Sequence, residues 1–283
     1  MKYLVALCLI LASHSALAHL QVGITLHPYY SYVANIVGDR ADVLPLIDSG
    51  FNPHNYQLSP ADIERLNSLD ALVVNGIGHD LFATNTVERL QPKHLTVIWA
   101  NQDVPLIGHD EKVNAHSFVS IDAAIRQVYT IAKALGELDA ENKTYFLRNA
   151  MDYARTLRAL KTPVQQALLN QDLSNIRIAS THGAYAYLLQ EFGLTVSAII
   201  EPAHGVSPTA SQLEDTIQTI RQQNIDVLFT ELNMENHYVD LIEQETGIKI
   251  YYFSHMTHGE YSADQVEREM SHNLRKLAEA LQP

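Results

Sequence analysis

Cysteine is almost absent. The chain of 283 residues has one, Cys8, and it falls in a leading segment that reads as removable. No disulfide then holds the remainder, and the fold must rest on an apolar core. Basic residues are scarce too, 19 Lys and Arg against 32 Asp and Glu. Nucleic acid, which demands basic patches, is excluded as a partner. A cation suits this balance, although net charge also serves solubility alone. Long apolar runs are missing. "MKYLVALCLILASHSALA" (1–18) carries a lysine, a short apolar stretch and a small-residue end. That is the layout of a cleaved secretory leader, and its apolar run falls short of the roughly 20 residues that span a bilayer. The expectation is an exported, soluble chain that begins near His19 after cleavage near Ala18. A lipid anchor on Cys8 is disfavoured, because Leu7 stands where a small residue is required. The glycine motif of a dinucleotide site is incomplete: "NGIGHD" (75–80) lacks the third glycine and the acidic partner, and reads as a tight turn. There is no His-Glu-x-x-His and no paired Cys-x-x-Cys.

What is present is an alternation. "QVGITL" (21–26), "DVLPLI" (42–47), "ALVVN" (71–75) and "LTVIWA" (95–100) read as strands, the last two of the kind buried in parallel sheets. "SPADIERLNSL" (59–69) opens with Ser59 as N-cap and Pro60 at the first helical position. Helical spacing covers 121–135. "DAENKTYFLRNAMDYARTLRAL" (139–160) predicts a long helix to about Leu169, capped by Asp139 and kinked or restarted at Pro163. Strands then resume at 176–180, 196–200, 226–231 and 248–253, with helices at 183–192, 209–223, 235–246 and 263–281. The fold class is therefore α/β: two lobes, each a mostly parallel sheet flanked by helices, joined by one long helix. The expected divisions are a leader (1–18), a first lobe (19–138), a connecting helix (139–170) and a second lobe (171–283).

Histidine is abundant, with 14 in the chain. Open α/β sheets bind ligands beyond the carboxyl ends of their strands. His54, His116, His182 and His255 fall in such places, and four of them meeting in the interlobe cleft would suit a metal, zinc above all. A loop histidine is also an ordinary surface residue, and spacing alone leaves both readings open. His94, His109, His204, His237 and His272 are read as surface residues.

These segments resemble a known family. "NPHNYQLSPADIERLNSLDALVVNGIG", "HSFVSIDAAIRQVYTIAKALGELDAENKTYFLRNAMDYARTLRAL", "ASTHGAYAYLLQEFGL" and "VLFTELNMENHYVDLIEQETGIKIYYF" are similar to the cluster A-I solute-binding proteins of metal-uptake ABC transporters. The resemblance implies two lobes joined by a rigid helix, with one metal buried between them. It carries the first three ligands onto His54, His116 and His182. Three departures stand out. Asn114, Ala115 and Phe118 replace the Asp-Pro and Trp that usually surround the second histidine. The long His-rich loop of many zinc members is missing. The fourth-ligand aspartate position reads Ser254, which puts the fourth ligand on His255, with His258 or water as rivals.

The resemblance implies a periplasmic binding component, not an enzyme. It would capture zinc (Zn2+ before Mn2+ or Cu2+) and deliver it to the membrane permease and ATPase of an ABC importer, acting as a monomer. Glu231 is a candidate for balancing the buried charge. The alternative is an exported zinc-dependent hydrolase with a three-histidine site, against which stands the lack of a general base paired with these histidines. A copper site at a new amino terminus on His19 is a third reading.

Overall fold

The computed structural model describes residues 19–49, 56–109, 112–201, 206–234 and 237–282. The expected leader 1–18, the candidate ligand His54 and the surface reading of His204 lie outside the described residues. The first half runs β1 (Leu20–Ile24), α1 (His27–Val37), β2 (Ala41–Pro45), α2 (Pro60–Asn67), β3 (Ala71–Val74), α3 (Leu81–Leu90), β4 (Thr96–Trp99) and α4 (Ile121–Leu138). After α5 (Lys143–Leu168) the second half runs β5 (Ile178–Ser180), α6 (Ala186–Gln190), β6 (Val196–Ile199), α7 (Ala210–Gln223), β7 (Val227–Glu231), α8 (His237–Thr246), β8 (Lys249–Phe253) and α9 (Gln265–Ala280).

Two four-stranded sheets result, in the orders β2-β1-β3-β4 and β6-β5-β7-β8, and every strand pair is parallel. The second order repeats the first. Each therefore reverses direction at its inner pair, β1/β3 and β5/β7, where a crevice opens beyond the strand ends. The inner strands β3, β5 and β7 are buried throughout, while the edge strand β6 alternates between half-buried and exposed residues. This is the burial expected of sheets covered by helices on both faces.

Local chemistry explains the helix ends. At α2 the Ser59 hydroxyl accepts from the Asp62 amide (3.3 Å) and the Asp62 carboxylate accepts from the Ser59 amide (2.8 Å), with Pro60 in the first turn. That reciprocal box fixes the start. Asp139 does not cap the long helix as expected. It closes α4, and its carboxylate accepts from the Asn142 amide (3.2 Å), so α5 begins at Lys143. Pro163 neither ends nor restarts α5, which stays one segment of 26 residues. Pro163 and Ala159 both lie on the exposed face, where water can satisfy the carbonyl that the proline leaves without a donor. The opposite stripe of α5 (Phe146, Ala150, Tyr153, Leu157, Val164) is buried. It joins one apolar core that takes in Val22, Phe118, Ile178, Phe253 and Leu274 from both halves. No helix among the described residues is long and apolar enough to cross a membrane.

Candidate metal centre

Four imidazoles converge beyond the strand ends. One ring nitrogen each of His79, His116 and His255 lies within 4.8 Å of the others, and all three residues are buried. The ring centre of His116 stands 4.3 Å from His79, 5.1 Å from His255 and 5.2 Å from His182. His182 is 5.3 Å from His255. Three of the four are residues expected from the sequence. His79 was read only as part of a tight turn. His258, the rival to His255, is half-buried and outside the close group. His94, His109 and His237 are exposed as expected; His272 is half-buried, its Nε2 at 2.9 Å from the Tyr252 carbonyl.

The turn is what aims His79. It follows β3, with Gly76 at φ 71°, Gly78 at φ 139° and His79 itself at φ 32°, a region that side-chain-bearing residues rarely occupy. Asp80 secures it. Its buried carboxylate accepts from the Asn75 amide (2.5 Å), the Gly76 amide (3.1 Å) and the Thr25 hydroxyl (2.8 Å). Burial pushes this carboxyl up to about 6, against the downward pull of those donors. A histidine in the loop beyond a buried strand is the same signal that marked His182 and His255, and it would have found His79.

Asn75 ties this loop to the next ligand. Its side-chain Nδ2 donates to the Ala115 carbonyl (2.9 Å), and its side-chain oxygen accepts from Tyr29 (2.7 Å) and Asn101 (2.8 Å). Asn101 in turn accepts from Ser117 and Gln127. This fully buried polar network fixes the segment on either side of His116. Phe118, one of the departures from the family pattern, packs against His79, His116 and His255 with centroids 5.6, 6.1 and 5.7 Å away.

On the second sheet, His182 follows β5 directly, and its carbonyl accepts from the Ser180 hydroxyl (2.6 Å). His255 follows β8. Ser254 is occupied with the backbone: its amide donates to Asn273 (2.6 Å) and its hydroxyl accepts from the Met256 amide (2.9 Å). Met256 takes φ 63°, so the chain turns sharply just where His255 must face the other rings. His255 Nδ1 lies 3.2 Å from the Thr257 hydroxyl. Glu231 also lies on the second sheet. It ends β7 and is buried. The neighbouring Tyr185, 5.9 Å from the His182 ring, is held well above its ordinary value by burial first and then by the charges of Glu231 and Glu201. An open cavity of about 470 Å³, lined by Tyr56, Leu58, Phe82, Asn85 and Arg89, reaches His79 from outside.

A set of imidazole nitrogens, with no carboxylate in the close group among the described residues, can hold a borderline transition metal. The profile of the family described as "Zinc-uptake complex component A periplasmic" matches residues 22–280. A structure of the SBP FpvC from Pseudomonas aeruginosa in complex with Ni2+ is similar at 47% identity and a TM-score of 0.88, covering 93% of this chain and 97% of that one. The same protein with Mn2+ is equally similar, at 47% and 0.88. The manganese ABC transporter substrate-binding lipoprotein PsaA of Streptococcus anginosus is 25% identical over 260 residues, 87% of this chain and 84% of that protein.

Proposed function

The chain belongs to the zinc-uptake complex component A family, extracytoplasmic substrate-binding components of metal ABC transporters and not enzymes, and from that premise we propose that it captures one zinc ion and yields it to an importer's permease. The observation that carries this reading is the convergence of His79 and His116 from the first sheet's loops with His182 and His255 from the second's. His54 is a further proposed ligand on the family resemblance. Zinc takes imidazole nitrogen at about 2.0–2.1 Å, which in a tetrahedron puts the nitrogens about 3.3 Å apart. The close group, within 4.8 Å, needs only a small contraction around an ion. Neutral donors leave the dication's charge intact, and the buried Glu231 is the carboxylate proposed to offset it.

Zinc is put before manganese because manganese prefers hard oxygen donors. Nickel is the second reading. It too accepts imidazole, and the relative at 47% identity has been solved with it. The compartment proposed is the periplasm, reached through removal of residues 1–18, and the working form a monomer. The test is a competition titration of metal-free protein with zinc, nickel and manganese. Zinc should bind tightest at one site, and His116→Ala, His182→Ala and His255→Ala should each weaken it at least about 100-fold. Equal or tighter manganese binding overturns the choice of metal. An unaffected triple variant overturns the site.

A further inference from the structure

Asn114 sits between two of the proposed ligands and touches both lobes. Its Oδ1 accepts from the His116 backbone amide (3.0 Å) and lies 2.9 Å from His116 Nδ1. Its Nδ2 donates to the Gly183 carbonyl (2.6 Å), one residue beyond His182. These contacts determine one another. A backbone N–H can only donate, so the atom facing His116 must be the oxygen of the amide. A carbonyl can only accept, so the atom facing Gly183 must be the nitrogen. An oxygen acceptor beside Nδ1 then requires Nδ1 to carry the hydrogen. The lone pair of the neutral ring is thereby assigned to Nε2, the atom that must serve as the metal ligand.

The same loop is tied to the second lobe twice more. Tyr187 of α6 accepts from the Ile107 amide (3.0 Å) and donates to the Asn114 carbonyl (2.8 Å). The Asn114 amide closes the loop on the Ile107 carbonyl (2.8 Å). We propose that Asn114 is the positioning residue of the centre: it locks His116 in the Nδ1–H tautomer and makes that lock depend on the second lobe through Gly183. Only an amide does both. An alanine does neither. An aspartate keeps the acceptor for His116 but sets a second oxygen against the Gly183 carbonyl. Parting the lobes breaks the Gly183 bond and lets the amide rotate, so closure and the donor strength of His116 are coupled.

This rests on His116 being a ligand, and the experiment separates the two claims. Nitrogen-15 imidazole spectra of metal-free protein report the tautomer; zinc competition at neutral pH reports affinity; a thermal midpoint reports folding. The parent should show His116 as Nδ1–H. Asn114→Ala should mix the tautomers and weaken zinc about 10–100-fold, with the midpoint nearly unchanged. Asn114→Asp should keep the Nδ1–H form. A parent ring protonated on Nε2, or Asn114→Ala with parental affinity where His116→Ala has lost it, overturns the positioning role. Parental affinity in His116→Ala overturns the ligand assignment instead, and the tautomer spectra still decide whether Asn114 sets the ring.

Discussion

Removing the Lys161 ammonium should loosen the junction of the two lobes more than any exposed charge could. Lys161 lies on the connecting helix α5 with its side chain 8% exposed; its Nζ is 2.8 Å from Glu191 Oε2 and 2.9 Å from Asp122 Oδ2. Asp122 opens α4 of the first lobe, and Glu191 follows α6 of the second. The side chain of Glu191 is 4% exposed. Its other oxygen accepts from the Ser120 hydroxyl and from the Asp122 amide at 3.0 Å. Burial opposes the charge on Lys161, but the two carboxylates outweigh it and hold the ammonium above its ordinary range. Lys161→Met keeps the length and apolar stem while deleting the charge, which leaves the buried Glu191 without its cation. Breaking one side of a buried pair costs about 3–5 kcal/mol, and for a chain of this size that lowers the thermal midpoint by roughly 10 °C. Burial holds the Glu191 carboxyl above its ordinary value, and losing the cation raises it further. The folded state of the variant then binds a proton that the unfolded state releases near pH 4.3. The deficit should therefore be full near neutrality and shrink as pH falls through the folded value. Glu191→Gln in the same chain should recover most of the loss. Denaturant titration at neutral and acid pH measures all of this. A loss under about 1 kcal/mol, the worth of an exposed pair, or no recovery with Glu191→Gln, would refute the reasoning.

Three further outcomes are expected. Gly76→Ala requires a Cβ at φ 71° and 2.4 Å from the Trp99 ring, so it should cost roughly 1–3 kcal/mol and shift the emission of the chain's single tryptophan; an unchanged spectrum and stability would contradict the turn geometry. Ser59→Ala should remove about 1 kcal/mol. Burial pushes the Asp62 carboxyl up, but Ser59, Tyr56 and Arg65 outweigh it and hold it low, so the part of that contribution made by the Ser59 hydroxyl to the Asp62 carboxylate is present above about pH 4 and lost as pH falls through the folded value; an acid unfolding limb identical in the two proteins would contradict it. At the metal centre, Ser254→Ala should bind zinc like the parent and His255→Ala far more weakly, while affinity should fall steeply below about pH 6.5, where protons compete for each imidazole; flat affinity down to about pH 5 would contradict a histidine site.

Much of this architecture is written in local chemistry. "DVLFTE" became β7 and "IKIYYF" became β8 with ends moved by one residue, because short β-branched and aromatic runs between turn residues have few alternatives. The Ser-Pro start of α2 was legible for the same reason. Helix α3 was not read, since Asp80, the residue just before it, spends its carboxylate backwards on Asn75 and Gly76 rather than on the helix it precedes. Asp139 misled in the opposite sense: it is a good capping residue that closes the turn before α5 instead. At the centre, His116, His182 and His255 were expected from strand ends and resemblance, and their rings lie together. The strand before His255 ends at Phe253, and Met256 at positive φ turns the chain just beyond it. His79 was missed because its glycine-flanked turn explained the sequence without any ligand. The tie from Asn114 to Gly183 joins residues 69 apart in the chain, and nothing in either segment alone announces it.

The central claim is that one zinc ion sits among these imidazoles. Anomalous diffraction at the zinc edge from crystals of metal-loaded protein locates the ion directly. A single peak about 2.0–2.1 Å from ring nitrogens of His116, His182 and His255, with His79 or His54 completing the set, is the predicted result. A peak elsewhere on the chain, or one held by carboxylate oxygens with the four rings outside bonding distance, would contradict it.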